Sequence, residues 1–220
     1  MFHMSTFDLI VRAIVLLTAI PVHEAAHAYV ADKLGDPTAR YMGRLTLNPM
    51  AHLDLVGSFS LIFLGIGWAK PVPINPMNFE DRKKGMAISA AAGPISNLII
   101  ALFSIMASKI IVYSSYAFGY NWVLDVLNTI FVTMCSINIT LAIFNLMPFP
   151  PFDGSRIFNY FMSDRLYFKI MEHEQTIFMV VFALLIFGVF DAPLNFLVNM
   201  AFSLLDKLTF FIDIIFRAIL

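Results

Sequence analysis

Val22-His23-Glu24-Ala25-Ala26-His27-Ala28 lies inside the first long apolar stretch of the chain, residues 6–31. A carboxylate and two imidazoles are costly at that depth, and residues that expensive are placed there for chemistry. On a helix, His23 and His27 fall one turn apart on one face, so both reach one zinc ion. Glu24 beside them can then take a proton from a zinc-bound water. With five His and four Glu in 220 residues, this pattern is expected by accident only about 0.002 times. The competing reading is a secretory leader, with Arg12 as its basic end, Ala13 to Ile20 as its apolar core and Ala26-His27-Ala28 as a small-residue cleavage site. Two His and a Glu just before such a cut disfavour it, as does a remainder that is itself membrane-like.

Composition sets the class. Sixty per cent of residues are apolar and 13% charged, with 23 Phe and a mean hydropathy of +0.81. A soluble domain of this length would carry about 25% charged residues. The chain therefore reads as an all-α polytopic membrane protein. A net charge of −1 gives no hint of nucleic acid. The single Cys135 excludes an intramolecular disulfide framework and disfavours thiolate ligands, leaving His and carboxylate to hold any metal.

Stretches long enough to cross run over residues 6–31, 86–112, 123–147 and 194–216, with a shorter one at 176–190, so about five transmembrane helices are expected. Leu55 to Gly67 is short and glycine-bearing, which suits a re-entrant or interfacial segment. The last stretch carries Asp206, Lys207, Asp213 and Arg217 and also fits an amphipathic surface helix. Arg40 to Asn48 and the proline-rich Trp68 to Asn75 suit two short strands, a small membrane-associated β element whose edge could pair with an extended peptide; a surface connector is the competing reading. Basic residues concentrate in 32–85 (Lys33, Arg40, Arg44, Lys70, Arg82, Lys83, Lys84) and 148–175 (Arg156, Arg165, Lys169), whereas 113–122 has none. Those two segments are expected in the cytoplasm and the N-terminus outside. Arg12 is expected to face the bundle and pair with Asp8.

The His pair then lies roughly 6–12 Å below the cytoplasmic surface, at about 1.5 Å of rise per residue, and a third ligand must arrive at that level. Asp153 ends the run Asn145-Leu-Met-Pro-Phe-Pro-Pro-Phe-Asp153-Gly154, directly after the span 123–147. Its competing role is to cap the helix that follows. An oxyanion needs a further donor, for which Asn97 and Asn145 are candidates. Gly93, one turn before Asn97, could let a substrate backbone approach; helix packing is the bland reading of both. Asn138 lies two turns from Asn145 on one face and suits interhelical bonding. His52 reads as supporting or interfacial, and His173, between Glu172 and Glu174, as a solvated helix face.

These residues resemble the site-2 proteases, the intramembrane zinc metalloproteases. The likeness rests on HEAAH at 23–27, Ala92-Gly93-Pro94-Ile95-Ser96-Asn97, the N-x-x-P-x-x-P-x-D-G run ending at Asp153-Gly154, and Leu47-Asn48-Pro49 through His52 to Gly57 with Gly67-Trp68-Ala69-Lys70-Pro71 to Pro76. It covers most of 15–160. The resemblance implies a three-helix catalytic core around one zinc per chain, His23, His27 and Asp153 as ligands, Glu24 as general base, and other membrane proteins as substrates, cut within or near their transmembrane segments. Residues 1–220 are expected to form a single domain, with the core at about 6–160 and additional helices at about 170–220. It is a short form showing neither a PDZ insertion nor a nucleotide-sensing module. The resemblance also suggests a prokaryotic plasma membrane, with the site near the cytoplasmic side. Oligomeric state is left open. Two rival readings are a zinc transporter, which needs polar sites at several depths, and an inactive relative that binds membrane proteins, which the intact Glu24 disfavours.

Overall fold

The structure is a computed structural model that describes residues 6–54, 56–57, 69–119 and 121–219. Among these it is all-helical, and three helices are long and apolar enough to cross a membrane. They are α1 (Thr6–Lys33), α4 (Arg82–Phe118) and α5 (Trp122–Asn145), joined in part by two single-turn helices, α2 (Thr38–Tyr41) and α3 (Pro49–His52). After α5 come α6 (Asp153–Asn159), α7 (Asp164–Glu172), α8 (Glu174–Ile186), α9 (Asp191–Leu208) and α10 (Phe210–Ile219).

The three long helices form the bundle through rows of every fourth residue. On α1, Val11, Val15, Ala19, His23, His27 and Ala31 are all buried, so the histidines occupy the same stripe as the packing residues. On α4 the matching row is Gly85, Ser89, Gly93, Asn97, Ala101 and Ile105. Its small members let two backbones approach closely, the device by which membrane helices associate without a hydrophobic drive. The two run antiparallel: His27 meets Ser89 and His23 meets Asn97. Helix α5 lies antiparallel against α4 and also touches α1, with Asn138 on Asn97 and Asn128 on Ser108. Ala101, Ile105, Cys135, Ile139 and Leu205 close an apolar core among α4, α5 and α9. Large apolar side chains such as Phe103, Phe118 and Phe187 face outward, as a lipid-exposed surface requires.

Five crossings were expected; the described residues hold three, or four if the bent pair α8–α9 counts as one. The two arms meet at 81°. Gly188 ends α8 with φ +71, its N–H bonding Leu185 O while Val189 N–H reaches Leu184 O. That paired capping stops a helix with a left-handed residue, and glycine adopts it without a Cβ penalty. The charged end of the chain turns into the bundle. Lys109 on α4 bonds Asp206 and Asp213, and Tyr113 OH donates to Asp213 Oδ1 at 2.9 Å.

The expected strands are not formed. Residues 38–41 are helical, and Lys70 to Asn75 is extended but unladdered. One antiparallel bridge, Leu53 with Ala69, is the pairing found among the described residues. Prolines at 71, 73 and 76 withhold the N–H groups a ladder would use. Trp68 and, apart from Val56 and Gly57, the expected re-entrant segment 55–67 lie outside the described residues. Arg12 is exposed, beside the buried Val11 and Val15 rather than in their row, so it does not face the bundle.

Candidate metal centre

His23 Nε2, His27 Nε2 and one Asp153 oxygen make a nearly equilateral triangle, with sides of 3.0 Å between the imidazoles and 3.1 and 3.2 Å to Oδ2. The two His are buried and the carboxylate is 15% exposed. Among the described residues this is the one group of His, Cys, Asp or Glu able to hold a metal ion.

The partners of the other ring atoms fix what the triangle offers. His27 Nδ1 lies 2.7 Å from Ser89 O, a pure acceptor, so Nδ1 carries the proton and Nε2 presents a lone pair. His23 Nδ1 lies 2.5 Å from Asn97 Oδ1, which has the same consequence. With both rings neutral, two imidazole lone pairs and a carboxylate oxygen thus converge on one point, an arrangement that favours a cation between them. Tetrahedral zinc, with ligand bonds of about 2.0–2.1 Å, sets its ligand atoms about 3.3 Å apart. The three residues fit such an ion.

Local structure explains each placement. Asp153 opens α6, but the N-cap is Phe152 and no side chain caps the helix, so the carboxylate is turned to the histidines instead of serving its own helix. A Cβ on Gly154 would stand 2.2 Å from Leu146 O and 2.4 Å from Met147 O; only glycine lets the chain fold back so tightly on the end of α5. A Cβ on Gly93 would stand 2.4 Å from His27 Nε2 and 2.5 Å from His23 Cε1. Gly93 therefore makes room for the imidazoles. Pro94 beside it lacks the N–H that would close the turn onto Ala90 O.

Glu24, half-buried, is outside the triangle, and its Oε2 accepts from Val72 N–H at 3.0 Å. The extended segment that failed to form a strand is therefore what holds the carboxylate. That segment is anchored twice. Arg44 donates to Lys70 O at 2.6 Å, Lys70 N–H reaches His52 O at 2.8 Å, and His52, fully buried, holds Thr46 O at 2.7 Å. His52 thus supports the segment. At the other end Asp36, also fully buried, accepts from Asn75 N–H and Asn78 Nδ2 at 2.7 Å each and from Thr38. Burial alone would push the Asp36 carboxyl up, but those bonds outweigh it and hold it below the usual range. Sequence reasoning missed Asp36, for which Asp36-Pro37-Thr38 gave only a turn signal.

Of the amide candidates, Asn97 is fully buried with its oxygen on His23 and its nitrogen 2.7 Å from Asn138 Oδ1. Both of its amide atoms are thus engaged behind the histidine. Asn145 is half-buried at the end of α5, where its Nδ2 donates to Leu141 O at 3.0 Å. His173 is exposed at the junction of α7 and α8.

The family model for peptidase family M50 matches residues 108–189, which include Asp153 and Asn145 but not the His pair. Over 176 residues the chain is 36% identical to YwhC of Bacillus subtilis (strain 168), provisionally named a zinc metalloprotease, covering 79% of this chain and 78% of that protein. It is 25% identical to Rip2 of Mycolicibacterium smegmatis, which carries the same provisional name, over 77% of this chain and 64% of Rip2. Rip2 of Mycobacterium tuberculosis H37Rv is 24% identical over 63% of this chain and 52% of its own length. No solved structure matches the chain at a significant level.

Proposed function

The chain belongs to peptidase family M50, the site-2 protease family, and from that premise we propose that it is an intramembrane zinc metallopeptidase that cuts other membrane proteins within or near their transmembrane segments. The observation that carries the reading is the triangle of two imidazole nitrogens and a carboxylate oxygen 3.0–3.2 Å apart on the buried faces of a helix bundle. In this reading His23, His27 and Asp153 hold one zinc per chain. When bound, zinc supplies Lewis-acid polarisation of the scissile carbonyl and acidifies water.

The chain's own residues do the rest. Glu24, fixed by Val72 N–H, takes the proton of the attacking water on its free oxygen and returns it to the leaving amine, the ordinary cycle of a general base. Asn145, eight residues before Asp153, is the amide candidate left for the oxyanion, since Asn97 is committed to His23. The extended stretch around Val72, beside Glu24, is suited to align an extended substrate backbone. The burial of the site in the bundle restricts water and favours substrates that arrive through the bilayer. The segments rich in Lys and Arg support a metal near the cytoplasmic leaflet with the N-terminus outside, and the bacterial relatives favour a prokaryotic plasma membrane. Clustering of the histidines with Glu24 and Asp153 at one depth weighs against a transporter.

Elemental analysis of purified protein tests the ligand set. About one zinc per chain in the unmutated protein, lost in Asp153→Ala, is expected. Unchanged zinc content in Asp153→Ala would remove Asp153 from the site.

A further inference from the structure

Behind His23 runs a chain of hydrogen bonds that crosses all three core helices. Asn97 Oδ1 on α4 faces His23 Nδ1 on α1 at 2.5 Å. Asn97 Nδ2 donates to Asn138 Oδ1 on α5 at 2.7 Å, and Asn138 Nδ2 donates to Met134 O at 2.8 Å. Both amides are fully buried, so water cannot substitute for either partner.

The last member fixes the sense of the whole chain. A backbone carbonyl has no proton to give, so Asn138 must turn its NH2 to Met134 and its oxygen to Asn97. Asn97 must then turn its own NH2 to Asn138 and its oxygen to His23. His23 can answer that oxygen only with Nδ1–H, which in the neutral ring leaves Nε2 bare. His27 reaches the same state in one step, through Ser89 O. His23 faces α4 where the neighbour is a side chain, and needs two amides to be referred to a carbonyl on α5.

We propose that Asn97 and Asn138 are positioning residues, a hydrogen-bond relay of fixed direction that sets His23 as the Nδ1–H tautomer and offers its Nε2 lone pair before any metal arrives. This rests on the metal reading of the same site. Were Asn138 unable to orient it, Asn97 could rotate its amide and present NH2 to Nδ1, which would move the ring proton to Nε2 and block a ligand. An aspartate at 97 has two equivalent oxygens and no wrong face, so it should not need Asn138 at all.

That difference is the test. Zinc affinity is measured by chelator competition on the full chain in lipid nanodiscs, for the unmutated protein, Asn138→Leu, Asn97→Asp and the double variant. Loss of such supporting partners weakens metal binding about 10–100-fold, and that is expected for Asn138→Leu when Asn97 is present. In the Asn97→Asp background the same change should cost less than about twofold. An equal loss in both backgrounds, or none in either, would overturn the relay. Histidine-selective 15N spectra of the metal-free, unmutated protein give a second readout that depends on no variant folding. The expected result is His23 protonated at Nδ1 and bare at Nε2; an Nε2–H tautomer or an even mixture contradicts the relay. Failure of the unmutated protein to bind zinc would overturn the metal reading instead, while the tautomer would still report on the relay.

Discussion

Gly93→Ala adds one methyl group at the point where α4 passes under both imidazoles. Its Cβ would lie 2.4 Å from His27 Nε2 and 2.5 Å from His27 Cε1 and His23 Cε1. Ordinary carbon contacts are about 3.5–4.0 Å, so the rings must retreat by about 1 Å. Metal–ligand distances hold within about 0.2 Å, so a shift of that size removes at least one ligand. Zinc affinity should fall by 100-fold or more, beyond the 10–100-fold seen for losing a supporting partner. Stability of the metal-free protein should move little: alanine gains about 1 kcal/mol over glycine inside a helix, against about 1–3 kcal/mol for overpacking. Chelator competition and thermal unfolding without metal read the two quantities separately. Native zinc affinity in Gly93→Ala with cleavage abolished would refute the steric argument and restore Gly93 as a surface for substrate.

Three further outcomes follow from the same contacts. Asp36→Ala removes the shared acceptor of Asn75 N–H, Asn78 Nδ2 and Thr38 N–H, donors on exposed or half-buried residues that water can reach, and should cost about 1–3 kcal/mol, read by denaturant unfolding, with zinc retained and cleavage reduced because Val72 no longer holds Glu24 in place. Since the Asp36 carboxyl is held low in the folded protein, its contribution is full above the unfolded carboxyl value of about 4 and is lost as pH falls through the folded one. Unfolding curves between pH 6 and 3 should therefore converge for the unmutated protein and Asp36→Ala; parallel curves would contradict this. In a Cys135→Ser background, single cysteines at the exposed positions of Lys84 and Tyr116 should label from opposite sides of the membrane, and labelling from one side would overturn the cytoplasmic placement of the metal.

The catalytic motifs were legible because they violate the chain's own pattern. His, Glu and Asp stand out against a sequence that is 60% apolar, and their spacing needs only helical geometry to be read. The three long helices were legible for the complementary reason, that their apolar runs are long enough to cross a membrane and carry few charges. The bent pair was not, because 176–190 and 194–216 look like two spans until Gly188 turns the chain by its φ of +71. Arg12 was misplaced because a helical-wheel argument cannot distinguish adjacent rows when the row that packs is fixed by Gly93 and Asn97 on another helix. Gly93 and Asn97 were singled out in the sequence, but what they touch depends on contacts about 40 to 75 residues away. Periodicity carries no information about such contacts. The strand expectation failed on chemistry already visible in the sequence: the prolines that make 70–76 extended also deprive it of the donors for a ladder.

Hydrolysis of a single-span membrane protein by the purified chain, with and without a zinc chelator and beside Glu24→Gln, tests the central claim most directly. Cleavage should occur, stop on chelation and return with zinc. Glu24→Gln should keep about one zinc per chain yet cut at least about 100-fold more slowly, because the metal ligands are intact and only the base is gone. Cleavage by Glu24→Gln at the unmutated rate, or zinc flux across liposomes with no peptide bond cut in any substrate, would contradict the account.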